Sequence, residues 1–451
     1  MVYLSITKGD FVVNYLSVNV QVKIYKDMNG YSFPVVVQDG LPCCLYLNSY
    51  LNGNHNSPLS TSKSRNYKQV SSFYTLLKYA YELKFLYSFF TDEGIDLVER
   101  VASGTFLSIE EIDSYIRACK FYIDTEGENK DRTVVSLTDK RIRDAIHATS
   151  NSHPEVSAHT FNQRLNRLKA YIEFLYVFRH YDKAETKQQG STDDQFYKFK
   201  LYVSTAISST RKGNTITKDA FESAIPSDKF FDLLNTIQEC SPNNPFKSNK
   251  LRNQIIAQIL IDTGVRVGAV LKLKVSNLVD DWSNPRFKLT RTPNDPTDTR
   301  RLPAANKTKA LSVPISRDLM KLIKLYIETV RKSTPHAHEH DFVFISDKGR
   351  TKGKPLSYNA MRKIVKKFGD TVGIALHPHL LRHKWNEIFE DNAKNKGFSA
   401  DKIEDLRKYA MGWSEDSKMA SVYNEFQLAV TVAEISSKNQ SQSVPKLRGN
   451  Q

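Results

Sequence analysis

The side chains of Arg266, His379, Arg382 and Tyr423 have types and an order suited to attack on a phosphodiester. Arg266 follows Asp262-Thr263-Gly264-Val265, and His379 and Arg382 lie in His377-Pro378-His379-Leu380-Leu381-Arg382-His383. Tyr423 comes late, after Met411-Gly412-Trp413. Phosphodiester transfer concentrates negative charge on the non-bridging oxygens, and the planar arginine fork meets it with two aligned, charge-assisted hydrogen bonds. A phenol with a pKa near 10 attacks poorly until its proton is removed or the phenolate is stabilised. His379 titrates in the right range for that task. A lysine on a hairpin can protonate the leaving oxygen. With 22 tyrosines in the chain, Tyr423 alone would read as an ordinary aromatic, so order and spacing carry the signal.

Composition narrows the partner. The 451 residues are enough for two or three domains with their own cores. Hydrophobic and charged fractions of 40% and 25% are those of a soluble globular protein. The formal net charge of +16 favours a polyanion, nucleic acid or an acidic membrane surface. No apolar run approaches the ~18 residues that span a bilayer, which turns the expectation toward nucleic acid and a cytoplasmic protein. The stretch from Met1 to Tyr15 lacks the pattern of a secretory signal. Cys43, Cys44, Cys119 and Cys240 form no C-x-x-C pair and read as small apolar residues rather than ligands. The tract His336-Ala337-His338-Glu339-His340 reads as a solvated loop, so no metal site is expected.

Periodicity then places these residues on elements. Val18, Val20, Val22 and Ile24 alternate with polar residues, and Asp39-Gly40 signals a turn, so residues 1–60 read as a small β-rich region ending in a linker. Residues 67–183 read as a helical domain, with Phe73, Leu76, Leu77, Ala80, Leu83, Leu86 and Phe90 at helical spacing. Ser108 and the acidic residue three positions on form a capping box. Thr160 to Tyr181 spells a second amphipathic helix whose polar face carries Arg164, Arg167 and Lys169. Residues 184–200 read as a polar linker, 201–436 as a mostly helical domain with a β-like stretch from Phe287 to Ile315, and 437–451 as a disordered tail.

The chain resembles the tyrosine recombinase (phage integrase) family. Leu260-Ile261-Asp262-Thr263-Gly264-Val265-Arg266-Val267-Gly268 is similar to its first arginine motif, and His379-Leu380-Leu381-Arg382 to its H-x-x-R motif. Met411-Gly412-Trp413 matches the Leu-Gly-His/Trp position and Tyr423 the nucleophile, while Asn306-Lys307-Thr308-Lys309 resembles the hairpin bearing the family's lysine. The likeness is strong from Lys247 to Phe426 and weaker from Tyr67 to Tyr181. Three departures stand out. Ala269 occupies a commonly acidic position, Trp413 replaces the more frequent His, and the spacing from Trp413 to Tyr423 is one residue longer than usual.

The resemblance implies an α+β fold, mainly helical with a small sheet: a helical core-binding domain followed by a catalytic domain. It implies a site-specific DNA recombinase, the integrase or transposase of a mobile element. Tyr423 would form a 3′-phosphotyrosyl bond, Arg266 and Arg382 would clamp the phosphate, and His379 would assist proton transfer. Trp413 would donate its indole N–H, and Lys307 would be the general acid with Lys309 as the alternative. Arg164, Arg167, Lys169, Lys309 and His383 are the further DNA-contacting candidates. Neither ATP, a metal nor another cofactor is expected. The implied partners are double-stranded DNA, further copies of the chain in a tetramer on two duplexes, and accessory DNA-bending or directionality proteins. The segment Leu428 to Ile435 is a candidate for packing on a neighbouring subunit. A type IB topoisomerase and a non-catalytic DNA-binding derivative are the alternatives.

Overall fold

The computed structural model describes residues 19–56, 72–121, 156–180, 187–210, 224–292, 294–306 and 308–414, together with 432, 435 and 436. Lys307, Tyr423, the tail after Ser436 and most of the segment from Leu428 to Ile435 lie outside the described residues. The chain divides into two compact units, Met1–Lys26 with Phe33–Asn214, and Asp27–Ser32 with Thr215–Gln451. Among the described residues, no helix is long and apolar enough to cross a membrane.

The first unit opens with a three-stranded sheet in the order β1 (Val20–Lys26), β2 (Ser32–Gln38), β3 (Leu41–Pro42). β2 and β3 pair antiparallel, Gln38 opposite Leu41, through Asp39 and Gly40, both at positive φ (50° and 90°). That backbone is the hairpin turn for which Asp-Gly is suited. Helices follow: α1 (Leu45–Asn56), α2 (Phe73–Asp92), α3 (Leu97–Ser103), α4 (Ile109–Cys119), α5 (Ala158–His180) and α6 (Lys187–Ser209). The expected apolar stripe of α2 is buried from Phe73 through Phe90 except for the half-buried Leu77, and Ser72 caps it by accepting the Thr75 N–H. The capping box at Ser108 forms with Glu111. Leu83, Leu86, Leu165, Leu168 and Ile172 meet in one core that also takes in Val36 and Leu51 from the N-terminal region.

Two boundaries differ from the sequence reading. α1 extends the N-terminal region with a helix where a polar linker was expected from Asn52, and the region shares a core with the helical unit. α6 covers most of the stretch expected as a linker over 184–200. Its apolar residues begin only at Phe196, and Phe199 and Val203 insert into the core, so tertiary burial overrides a polar first half.

The second unit is built around α8 (Lys250–Thr263), which is largely buried, with Ile255, Ile256, Ile259 and Leu260 at its centre. The polar residues buried with them are hydrogen-bonded, Arg252 to the Ile345 carbonyl and Gln254 to the Gln238 side chain, while Asp262 stays exposed. α10 (Arg317–Tyr326) and α12 (Pro378–Asn395) pack against it, α11 (Tyr358–Val372) packs on α7 (Ser227–Thr236), and α13 (Ala400–Met411) packs on α12. The short α9 (Val267–Lys272) leads to an antiparallel sheet β4 (Leu278–Val279), β5 (Arg286–Leu289), β6 (Leu311–Pro314), in that order. Phe287 pairs with Val313 and Leu289 with Leu311, so the β-like stretch read from the sequence forms both strands and the long loop between them.

Candidate active site

The first arginine sits on a turn that glycine makes possible. α8 ends at Gly264, whose φ of +59° is left-handed, and a Cβ there would lie 2.7 Å from the Trp385 ring and 2.9 Å from Met411 Cε. Both reasons exclude a side chain. Val265 is buried, and Arg266 then caps α9 in extended conformation, its carbonyl accepting the Ala269 N–H at 2.8 Å. Ala269, at the position expected to be acidic, is a buried core residue and supplies no carboxylate to Arg266.

The second arginine comes from the start of α12. His377 caps that helix by accepting the Leu380 N–H at Nδ1, and Pro378 takes its first turn, where no N–H is needed. His379, Arg382 and His383 follow at spacings of three and four, on one face. Arg382 is 2% exposed, and its Nη1 donates to the Gly264 carbonyl at 2.6 Å. It thereby satisfies a carbonyl at the negative end of α8 and ties the two arginine turns together. Its guanidinium carbon stands 5.8 Å from the centroid of the Trp413 ring.

His379 is held below the ordinary imidazole range by burial, then by the charges of Arg382, Arg266 and His377. It is therefore neutral at pH 7, the form that accepts a proton. His383, whose ring is 5.5 Å from that of His379, is pushed down to about 4 by burial first and then by His379, His377 and Arg382. His383 is half-buried, so any contact it makes with DNA would come from a neutral imidazole and carry no charge.

Trp413 enters through a second left-handed glycine. Gly412 (φ +62°) ends α13, and a Cβ on it would lie 2.7 Å from Leu311 Cδ2. Its carbonyl accepts the Lys309 N–H at 3.1 Å, so the loop between β5 and β6 docks on the Gly412-Trp413 backbone. Trp413 is buried with Met411 beside Trp385. The loop is fixed elsewhere too. Asp298, 0% exposed, takes a two-point contact from Arg300 (2.8 and 2.9 Å), and Arg300 also donates to the Leu271 and Leu356 carbonyls. Asn306 Oδ1 accepts from the Thr308 N–H and hydroxyl, at 3.2 and 2.6 Å. Asn306 and Thr308, which flank Lys307, are both buried, while Lys309 is exposed.

In the first unit the three expected DNA-contacting residues of α5 make contacts within their own unit, and Arg167 alone of the three is buried, a correction to that expectation. Arg167 is 7% exposed and sits in the core, with Nε on Glu82 at 2.9 Å, Nη1 on the Tyr50 hydroxyl at 2.6 Å and its guanidinium 3.4 Å from the Tyr79 ring centroid. Arg164 is half-buried, donating to the Cys119 and Phe121 carbonyls, and Lys169 Nζ donates to Ser204 Oγ at 2.7 Å. All three brace their own unit. In the second unit Arg362, Lys363, Lys366 and Lys367 line the exposed side of α11, and Arg362 is close enough to help hold His377 below its usual range.

Three contributors were not singled out from sequence. Trp385 lies one turn beyond Arg382, and its indole N–H donates to the Asp262 carbonyl at 2.9 Å. Helical spacing from Arg382 was the available signal. Gly268 lets the loop after β5 lie on α9, since a Cβ there would be 1.9 Å from the Ala305 carbonyl oxygen. The α11 cations follow from a Ser357 cap and an alternation of paired apolar and paired basic residues.

Residues 225–428 match the phage integrase family. The transposase A of transposon Tn554 from Staphylococcus aureus is 31% identical over 132 residues, 29% of this chain and 34% of that protein. Tyrosine recombinase XerA of Pyrococcus horikoshii is 27% identical over 138 residues, 31% of this chain and 41% of that protein. The chain thus spans between a third and a half of the length of these two relatives. Among solved structures, the XerH recombinase in a post-cleavage complex with palindromic difH substrate aligns with a TM-score of 0.44 at 14% identity, over 87% of this chain and 95% of that one. A lambda integrase dimer on a COC' core site aligns with a TM-score of 0.33 at 14% identity, over 91% and 96%. Residues 225–428 thus carry a phage integrase, or tyrosine recombinase, family domain.

Proposed function

We propose that this chain is a site-specific DNA strand transferase of a mobile element, cutting and rejoining duplex DNA through Tyr423. The observation that carries the reading is the convergence on one turn of Arg382, held by the Gly264 carbonyl, with the Trp413 ring beside it and a His379 that feels the charges of both arginines. Two guanidinium groups supply the positive field that a pentacovalent phosphorane develops against. His379, neutral at pH 7, takes the phenol proton of Tyr423. The phenolate oxygen bonds to phosphorus, the bond to the 5′ oxygen breaks, and that oxygen takes a proton from Lys307. The 3′-phosphotyrosyl bond keeps the energy of the broken linkage, so rejoining to a new 5′ hydroxyl needs no ATP, and the arginines provide the charge that a metal supplies in other phosphoryl transferases. Basic residues of α11 hold the backbone. The assembly that joins two duplexes is a tetramer of this chain.

The test uses a nicked suicide duplex carrying the element's end. Wild-type chain is expected to give a denaturation-resistant protein–DNA adduct, and Tyr423→Phe none. An adduct that persists in Tyr423→Phe, or its absence from wild type on every element end tried, overturns the reading.

A further inference from the structure

Lys272 is the last residue of α9, the helix that Arg266 caps, and it is 5% exposed. A lysine buried to that extent requires partners. Its Nζ donates to the Thr292 carbonyl at 2.8 Å and also to the Thr292 hydroxyl. The carboxylates nearby are engaged by other cations: Asp295 by Lys274 at 3.1 Å, and Asp298 by Arg300 at 2.8 Å. Burial accordingly pushes Lys272 down to about 8; Asp295 and Asp298 raise it, and Lys274 and Arg300 lower it. Among these contacts, the neutral oxygens of one threonine are the hydrogen-bond acceptors of this ammonium.

Thr292 stands at the start of the loop between β5 and β6. The first leg of that loop contacts the last, because Asn306 Nδ2 reaches the Thr290 carbonyl at 3.5 Å and Asn306 in turn binds Thr308. The last leg also lies on α9 at Gly268, under the Ala305 carbonyl, and ends on the Gly412 carbonyl through Lys309. One six-residue helix therefore carries Arg266 at its beginning and grips both legs of the lysine-bearing loop, through Gly268 and Lys272.

We propose that Lys272 is a positioning residue for strand cleavage: by holding Thr292 to the arginine helix, it sets where the loop presents the Lys307 ammonium to the leaving 5′ oxygen. The proposal rests on the strand-transferase reading of Tyr423. In that step the electron pair of the broken bond stays on the 5′ oxygen and the proton comes from Lys307. Lys272 touches none of these atoms and acts through the loop.

A substrate with sulfur in place of the bridging 5′ oxygen separates positioning from simple support, because a thiolate leaves without a proton and does not need Lys307. On the oxygen substrate, Lys272→Met in the full chain is expected to slow adduct formation about ten- to a hundred-fold, the loss that follows from about 1 Å of misplacement. On the sulfur substrate it should stay within about two-fold of wild type, since only the proton-dependent part of the barrier is touched. Lys272→Arg, which keeps a charged donor, should recover most of the loss. Should Lys272→Met not fold, Thr292→Val removes the hydroxyl acceptor at nearly constant volume and should show the same selective loss, at smaller size. An equal fall on both substrates, or no fall on either, overturns the proposal. Wild type that forms no adduct with either substrate overturns the strand-transferase reading itself, and the proposal with it.

Discussion

Arg167 in the first unit and Arg382 in the second are both buried arginines on amphipathic helices, yet they are buried for opposite reasons. Arg167 is an internal salt: Glu82 meets its charge, Tyr50 accepts from it, and Tyr79 covers its face. Arg382 is held by a main-chain carbonyl at a helix end, with an indole face and the imidazole of His379 around it. Taking a charge out of water costs several kcal/mol, which a carboxylate partner offsets for Arg167. For Arg382 the surroundings fix direction and leave its field felt by a titrating neighbour. On the strand-transferase reading, the difference separates a charge that holds the fold from one placed to hold a phosphate.

The largest expected effects test that division. Arg382→Gln should cut adduct formation about a thousand-fold, the loss expected for removing preorganised donors from a developing oxyanion. Arg167→Met should leave the folded protein's cleavage rate unchanged while lowering stability by up to about 3–5 kcal/mol, because it leaves the buried Glu82 with the half-exposed Lys78, at 3.7 Å, as its cation. Replacing Glu82 by Leu in the same chain should recover most of that loss. Denaturant titration alongside single-turnover cleavage reads both. A loss of chemistry in Arg167→Met at full folded population would erase the distinction.

Glycines divide the same way, with a smaller effect. Gly373 ends α11 at a φ of +75°, and nothing lies within 4 Å of the Cβ it lacks. Gly373→Ala should cost about 1 kcal/mol of stability through backbone strain alone. Gly268 has an ordinary φ, and its Cβ would meet the Ala305 carbonyl oxygen at 1.9 Å. Gly268→Ala must displace the loop, so it should slow cleavage roughly ten-fold or more while changing DNA affinity little. If Gly373→Ala proves the more damaging to cleavage, the loop is not what the helix positions.

Legibility in the sequence divides along the same line. The arginine motifs and the capping box at Ser108 announce themselves, because such local devices have local signatures. The apolar stripes of α2 and α5 were legible for the same reason. The fate of the α5 cations was not, since a helical period shows which residues share a face and does not show that Tyr50, Tyr79 and Glu82 arrive from other elements to enclose Arg167. Nor was α6, whose polar start hides a core contact made only by its second half. Lys272 escaped because its acceptor lies in a loop with no period at all. Long-range partners are the part of the fold that spacing does not encode.

The smallest effect concerns the proton. His379 lies below the usual imidazole range through burial first and the Arg382 charge second, with Arg266 third. If the neutral imidazole is the base, as proposed, the acid limb of cleavage should fall at a lower pH than an ordinary histidine gives, and activity is lost as the pH drops through the depressed value. Arg382→Gln removes the second cause and leaves the first. An imidazole titration followed by NMR should therefore show His379 moving up in that variant while staying below the ordinary range. For His383, burial, His379 and His377 all outrank Arg382, so its titration should move less. A His379 value that does not rise, or a His383 value that rises more, would mean that the Arg382 field is spent elsewhere and would place this arginine with Arg167, as a strut.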